Sequence, residues 1–153
     1  MVLSRTSQYA VQALIYIATQ PKGEPVLNRD IAGRLNVPSA YLAKILQTLC
    51  KQGLLDSFRG RLGGFRLKEG MHTTNLLQVL MITEGAQFTE SCVLGLKICS
   101  DETACPLHHE WQPAKKKILA MLTQSTLEDL GKSVLTGKYR LADIPVSFIA
   151  ALR

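Results

Sequence analysis

The stretch "YLAKILQTLCKQGLLDSFRGRLGGFRL", residues 41–67, changes its hydrophobic period partway along, and that change decides the fold. Leu42, Ile45, Leu46 and Leu49 recur at i, i+3, i+4 and i+7, the apolar face of one helix. Lys44, Gln47, Thr48 and Lys51 take the polar face, and Gly53 closes the helix. Next come "LLDSF" (54–58) and "GFRLK" (64–68), rich in strand-forming residues and separated by "RGRLG" (59–63). Two such stretches around a glycine-containing loop predict a β-hairpin. Glycines beside arginines also suit a loop that cradles a nucleotide phosphate. That loop follows a strand, opens a helix and carries a Lys-Ser/Thr pair, none of which fits here. Gly60, Gly63 and Gly64 are therefore expected to supply positive φ at a hairpin tip, with Arg61 exposed between Arg59 and Arg66.

Upstream, Ser4 can cap a helix with Tyr9, Ala10, Ala13, Leu14 and Ile17 on one face, ending before Pro21. Asn28 is expected to cap a short second helix with Ile31, Ala32 and Leu35 inward. "NVPS" (36–39) breaks it, and Ser39 opens the third helix. Two short helices joined by a tight turn match a helix-turn-helix, and the hairpin behind them is a wing. In that arrangement Ser39, Ala40, Tyr41 and Lys44 face a major groove. Arg59, Arg61 and Arg66 reach phosphates or the minor groove, and Arg5 joins this set of candidate DNA-binding residues.

Downstream, Thr73 or Thr74 is expected to cap a fourth helix carrying Leu76, Leu77, Val79, Leu80 and Ile82, which ends near Gly85. Residues 86–105 have no sustained period. From Pro106, Leu107, Trp111, Ala114, Ile118 and Met121 recur every three or four residues, a helix of at least four turns with Pro113 inside it. So wide an apolar face needs cover from a second copy of the chain, which predicts a homodimer. "STLEDL" (125–130) is a short capped helix. The expected organisation is a winged helix-turn-helix over 1–70, a fourth helix, cysteine loop and dimerisation helix over 71–131, and a tail over 132–153. The fold class is mostly α with a small β-hairpin.

The chain has 153 residues, 46% apolar and 20% charged, with a net charge of +6, as in a globular protein and unlike a disordered one. The charge is lopsided. Residues 1–70 hold ten Lys/Arg against four Asp/Glu, whereas 71–153 hold eight of each. A basic half favours a polyanionic partner, here double-stranded DNA, over the plainer reading of solubility charge. No apolar run approaches the ~20 residues of a membrane span. Gln12 and the polar run from Arg5 to Gln8 break the block that a signal peptide needs, so the expected place is the cytoplasm and no membrane partner is expected.

Cys50 lies beside the apolar stripe of the third helix and reads as a small buried hydrophobe. The other cysteines cluster in "ESCVLGLKICSDETACPLHHEW" (90–111) with spacing C-x6-C-x5-C-x2-H: Cys92, Cys99, Cys105 and His108, with His109 adjacent. Three thiolates and an imidazole can converge on one centre if the loop wraps it, and soft thiolates select zinc, copper(I) or iron–sulfur centres. Structural zinc usually sits on a tighter pair of cysteines, and wider gaps suit a larger centre. No Cys-x-x-Cys redox motif, nucleophile–base pair or dinucleotide fingerprint supports an enzyme.

Residues 41–67, the cysteine loop and the long helix leading to "TLEDL" together resemble bacterial winged-helix regulators of the IscR and NsrR type, over about Leu3 to Leu130. The resemblance implies a homodimer whose recognition helices and wings read a partly palindromic operator. It also implies an iron–sulfur cluster on the three cysteines that controls DNA affinity in response to redox, iron or nitric oxide status. In IscR-like members a histidine three residues after the last cysteine completes a 2Fe–2S site, and His108 holds that position. In NsrR-like members an aspartate of the partner's first helix does so, and here "SQYA" offers Gln8, a poor ligand. A 2Fe–2S centre is thus expected ahead of 4Fe–4S. His109 in place of His108, and a structural zinc or thiol switch in place of the cluster, stay open.

Overall fold

The structure, a computed structural model, describes residues 3–142. Six helices and one hairpin follow in order: α1 Arg5–Thr19, α2 Asn28–Leu35, α3 Ser39–Lys51, β1 Leu55–Phe58, β2 Gly64–Leu67, α4 Leu76–Glu84, α5 His108–Gln124 and α6 Leu127–Leu135. The expected mostly-α class with a small antiparallel hairpin is the observed one. Among the described residues no helix is long and apolar enough to cross a membrane.

α1 runs through the middle of the main core. Ser4 caps it, its hydroxyl accepting the Ser7 N–H at 3.1 Å. Ala10, Ala13 and Leu14 on α1 and Ile31, Leu42, Leu46 and Leu49 on α2 and α3 are fully buried. Small alanines on α1 bring the neighbouring helices close, and the leucines of α3 fill the space. The start of α2 departs from expectation. Leu27 takes the cap position, and Asn28 is the first helical residue. Its carboxamide instead donates to the carbonyl and hydroxyl of Ser39 at 2.9 and 2.8 Å, tying the beginning of α2 to the beginning of α3. Asn36, at φ 55°, ends α2 in the left-handed region and lets the Val37 N–H reach the Ala32 carbonyl at 3.0 Å.

β1 pairs with β2 in the register Leu55–Leu67 to Phe58–Gly64. Val26 adds an isolated antiparallel bridge to β2, exchanging two 2.8 Å hydrogen bonds with Phe65. Gly64 makes this approach possible, since a Cβ there would lie 2.2 Å from the Val26 carbonyl oxygen, and its φ is 125°. Gly63 does not have the expected positive φ. It is needed because a Cβ would lie 2.3 Å from the Phe58 carbonyl oxygen.

The second half is attached through α4. Asn75 and Gln78 form a capping box at its start, so neither Thr73 nor Thr74 is the cap. Thr73 belongs to a short 3₁₀ turn, and the carbonyl of Thr74 accepts the Leu127 N–H at 2.9 Å. With the Leu76 N–H on the Ser125 carbonyl at 3.0 Å, that bond clamps the α5–α6 junction onto the start of α4. Leu80, Phe88 and Leu122 form a small second core beside it. α6, capped by Thr126, continues to Leu135 and packs on α1, with Gly131 against Ala18. Residues 132–135 of the expected tail thus lie in α6, Leu141 and Ala142 pack against the main core, and 143–153 lie outside the described residues. Pro106 is also corrected: it sits in a turn, and α5 starts at His108.

Candidate functional site

Two surfaces hold the candidate residues. On the first, Ser39, Ala40, Tyr41 and Lys44 are exposed along the N-terminal part of α3, the face opposite its buried leucines. Tyr41 is partly committed. Its hydroxyl hydrogen-bonds Thr6, and its ring packs edge-on against Tyr9 at 5.8 Å, so it braces α3 against α1. Arg5 lies over the Tyr9 ring at 5.8 Å and donates to Gln8. The three wing arginines separate into two kinds. Arg59 and Arg61 are exposed at the hairpin tip with no hydrogen-bond or ion-pair partner among the described residues, beside the 91%-exposed Leu62. Arg66 is spent within the fold: it donates to the Gly23 carbonyl at 3.0 Å, pairs with Asp56 at 3.7 Å and stacks on Phe58 at 4.5 Å.

The second surface is the loop between α4 and α5. Its four donors fall into two pairs. Cys92 and Cys105 have their sulfurs 3.3 Å apart, and the Cys99 sulfur lies 3.7 Å from Nδ1 of His108. His108 is 1% exposed, which the helix start explains: its own N–H bonds the Cys105 carbonyl at 3.0 Å, folding the imidazole under the loop. Nε2 meets Asp101 Oδ1 at 2.8 Å, leaving Nδ1 as the ring nitrogen that faces sulfur. That hydrogen bond holds the Asp101 carboxyl below its ordinary value. His109 is exposed, its ring at 5.6 Å and edge-to-face with that of His108. The Leu94 N–H, donating to Cys92 at 3.4 Å, leads the influences that pull this thiol below its usual value, aided by Cys105 and by the charge of Lys115. The Cys92 sulfur in turn pushes Cys105 up. Among the described residues no three of these donors gather around a single point as a lone metal ion requires. Cys50 packs against the core, where burial raises its thiol, as a small hydrophobe would.

Three residues of this loop and helix escaped the sequence pattern. Asp101 orients His108. Gln112 Nε2 donates to the Cys99 sulfur at 3.1 Å. Lys115, one turn further along α5, is 6% exposed. Only an acidic residue seven before the histidine and a polar i+4, i+7 pattern hinted at them. The apolar stripe expected to form a dimer seam lies open: Trp111 and Ile118 are half-buried, and Ala114 and Met121 are exposed. The Trp111 indole N–H is buried without an acceptor among the described residues.

Comparison with known proteins places both surfaces in context. Residues 3–133 match the Rrf2 family, described as iron-dependent transcriptional regulators. The chain is 32% identical, over 131 residues, to the HTH-type transcriptional regulator NsrR of Bacillus licheniformis, covering 85% of this chain and 92% of the relative. Its fold is similar to CymR (YrzC), the global cysteine regulator of B. subtilis, with a TM-score of 0.71 and 25% identity over 87% of this chain and 98% of the other. It is likewise similar to T. potens IscR, with a TM-score of 0.69 and 26% identity over 92% and 93% of the two chains.

Proposed function

The chain belongs to the Rrf2 family of transcriptional regulators, and from that premise we propose that it binds its operator as a homodimer whose affinity is set by an iron–sulfur cluster on the cysteine loop. It is a DNA-binding regulator and not an enzyme. The finer reading rests above all on the pairing of donors. A 2Fe–2S centre needs two ligands on each of two irons, and Cys92 with Cys105, and Cys99 with His108, form two such pairs. A mononuclear zinc site would need all four around one point. Asp101 on Nε2 of His108 matches the carboxylate that commonly orients a metal-bound histidine. When bound, the cluster supplies a redox-active centre that oxidants, nitric oxide or iron shortage can alter or remove.

The chain's own contacts suggest how the loop could act on DNA. The loop leaves the end of α4, where Thr83 hydrogen-bonds Ser7 at 2.6 Å and Glu84 accepts the Ser4 N–H at 2.8 Å. The same first turns of α1 hold Tyr41 of α3 through Thr6. Reordering the loop would therefore tilt α1 and α3 together and change the spacing of two recognition helices in a dimer. Ser39, Ala40 and Lys44 would meet base edges, and Arg59 and Arg61 would meet phosphates or the minor groove. The open face of α5 supports pairing with a second copy. The cytoplasm, which holds both DNA and reduced thiols, is the compartment that suits these roles.

A second reading has one observation of its own. The 3.3 Å separation of Cys92 and Cys105, with Cys92 the more acidic, also suits a thiol switch that closes a disulfide. Anaerobic purification followed by iron, sulfide and zinc analysis separates the readings. The cluster predicts equal iron and sulfide and a visible absorption that Cys92→Ala, Cys99→Ala and Cys105→Ala each abolish. Stoichiometric zinc would favour a structural site. A metal-free protein with a reversible Cys92–Cys105 disulfide would favour the switch.

A further inference from the structure

The hairpin tip carries an apolar residue that the DNA-binding reading leaves unused. Leu62 is 91% exposed, the most exposed large apolar side chain among the described residues. Single exposed leucines are ordinary on a protein surface, so position has to decide what this one does. With Arg61, it occupies the centre of a tight turn in which the Gly63 N–H bonds the Gly60 carbonyl at 3.0 Å. Gly60 takes φ 97°, and a Cβ on Gly63 would lie 2.3 Å from the Phe58 carbonyl oxygen, so the loop folds closely onto its own backbone. The stem below is braced by Arg66 on Asp56 and Phe58, and by the bridge from Val26 to Phe65. The tip also borders a cleft of about 960 Å³ that Val26 and Leu27 help to line. At 91% exposure, Leu62 is not packed into it.

Its neighbours give this leucine a destination. Arg59 and Arg61 are exposed without partners among the described residues, and guanidinium groups are drawn to the negative potential of a minor groove. That groove, about 6 Å wide, admits a narrow tip and not a helix. A leucine carried in beside two arginines meets the edges of stacked base pairs. Apolar side chains placed there can enter a base step and kink the duplex, commonly by about 20–90°. We propose that Leu62 is such a wedge, opening one base step at the wing position of each half-site. Pyrimidine–purine steps unstack most readily, so the residue adds a preference for TA or CA/TG there without reading a base edge. The proposal rests on the assignment of Arg59 and Arg61 to the minor groove.

The test uses the full-chain protein and a duplex that the wild type selects from a random-sequence pool. Adenines of that duplex are replaced one at a time by 2-aminopurine, whose fluorescence rises on unstacking, and the bend is read by energy transfer between end labels. The wild type should unstack one step on each side of the centre and bend the duplex by about 20° or more. Leu62→Ala should remove both signals and weaken binding by about 10-fold, the order expected from losing one buried leucine. It should leave melting and the salt dependence of affinity unchanged, since no charge is lost, and Leu62→Met should restore the unstacking. Arg61→Ala should instead reduce the salt slope by about one. Replacing the opened step by a stiff A-tract should weaken the wild type and leave Leu62→Ala unaffected. If Arg61→Ala weakens binding while Leu62→Ala binds and bends as the wild type does, the wedge is overturned and the wing assignment stands. A loss of affinity in Leu62→Ala with no unstacked step in the wild-type complex also overturns it, placing the leucine against sugars. If neither substitution changes binding, the wing assignment fails and the wedge with it.

Discussion

The winged helix and the cysteine region differ in how far each satisfies itself. In the first, several polar side chains close on one another, Asn28 on Ser39, Arg66 on Asp56 and Gly23, and Tyr41 on Thr6, although the Oδ1 of Asn28 stays buried without a donor among the described residues. The residues left over at its surface, Arg59, Arg61 and Lys44, are those that a DNA backbone and groove would use. In the second, the remainders are of another kind. Ile98 and Leu94 are 63% and 54% exposed in the loop, and the Trp111 N–H has no acceptor among the described residues. Of the seventeen residues of α5, His108, Lys115 and Leu122 are the buried ones. One half has a packed core of its own, and the other leaves open the apolar groups that the proposed cluster and second chain would cover.

Breaking the finished half should have the largest effect on stability. Leu46, fully buried on α3, should cost about 2–5 kcal/mol when changed to alanine, read by denaturant unfolding. Met121→Asp on the open half, at a stripe residue 56% exposed, should scarcely alter the melting of the monomer. It should instead convert a sedimenting dimer to a monomer and abolish tight operator binding, because two half-sites can no longer be engaged together. A wild type that sediments as a monomer at micromolar concentration would remove the dimer from the account.

The period of apolar residues made the first half readable. α1, α2, α3 and the hairpin follow from it because each buries one face in a shared core. The misread details are local contests that a period cannot decide. Asn28 had a better partner in Ser39 than in its own helix. The Asn75–Gln78 pair outcompeted two threonines for the start of α4. Arg66, set opposite Asp56 by the strand register, has partners within the fold that its wing neighbours lack. In the cysteine region the ligand types were visible, but their partners were not. Asp101 and Gln112 meet His108 and Cys99 through the path of a loop without repeat.

The wing sharpens the contrast within the finished half. Arg61→Ala should leave thermal stability unchanged, weaken operator binding and reduce the slope of log affinity against log salt by about one. Arg66→Ala should instead cost about 1 kcal/mol in stability, through its carbonyl hydrogen bond and its stacking on Phe58. Equal effects of the two substitutions on DNA binding would erase the distinction drawn between them.

The smallest effect concerns the joint between the halves. Burial pushes the Glu84 carboxyl up, but hydrogen bonds from Ser7 and Ser4 outweigh it and hold the group below its ordinary value of 4.5. A depressed carboxyl contributes stability above its unfolded value and loses it as pH falls through the folded one. Melting temperature should therefore drop on acidification below about pH 4.5, and Glu84→Gln should flatten that slope slightly.

The most direct test compares one dimer with and without its cluster on the same operator fragment at one salt concentration, all under anaerobic conditions. A shift in the dissociation constant of about 10-fold or more, worth about 1.4 kcal/mol, is the predicted result. Overlapping binding curves for the cluster-bearing and chelator-stripped dimers would contradict it, because the open half would then have no hold on the finished one.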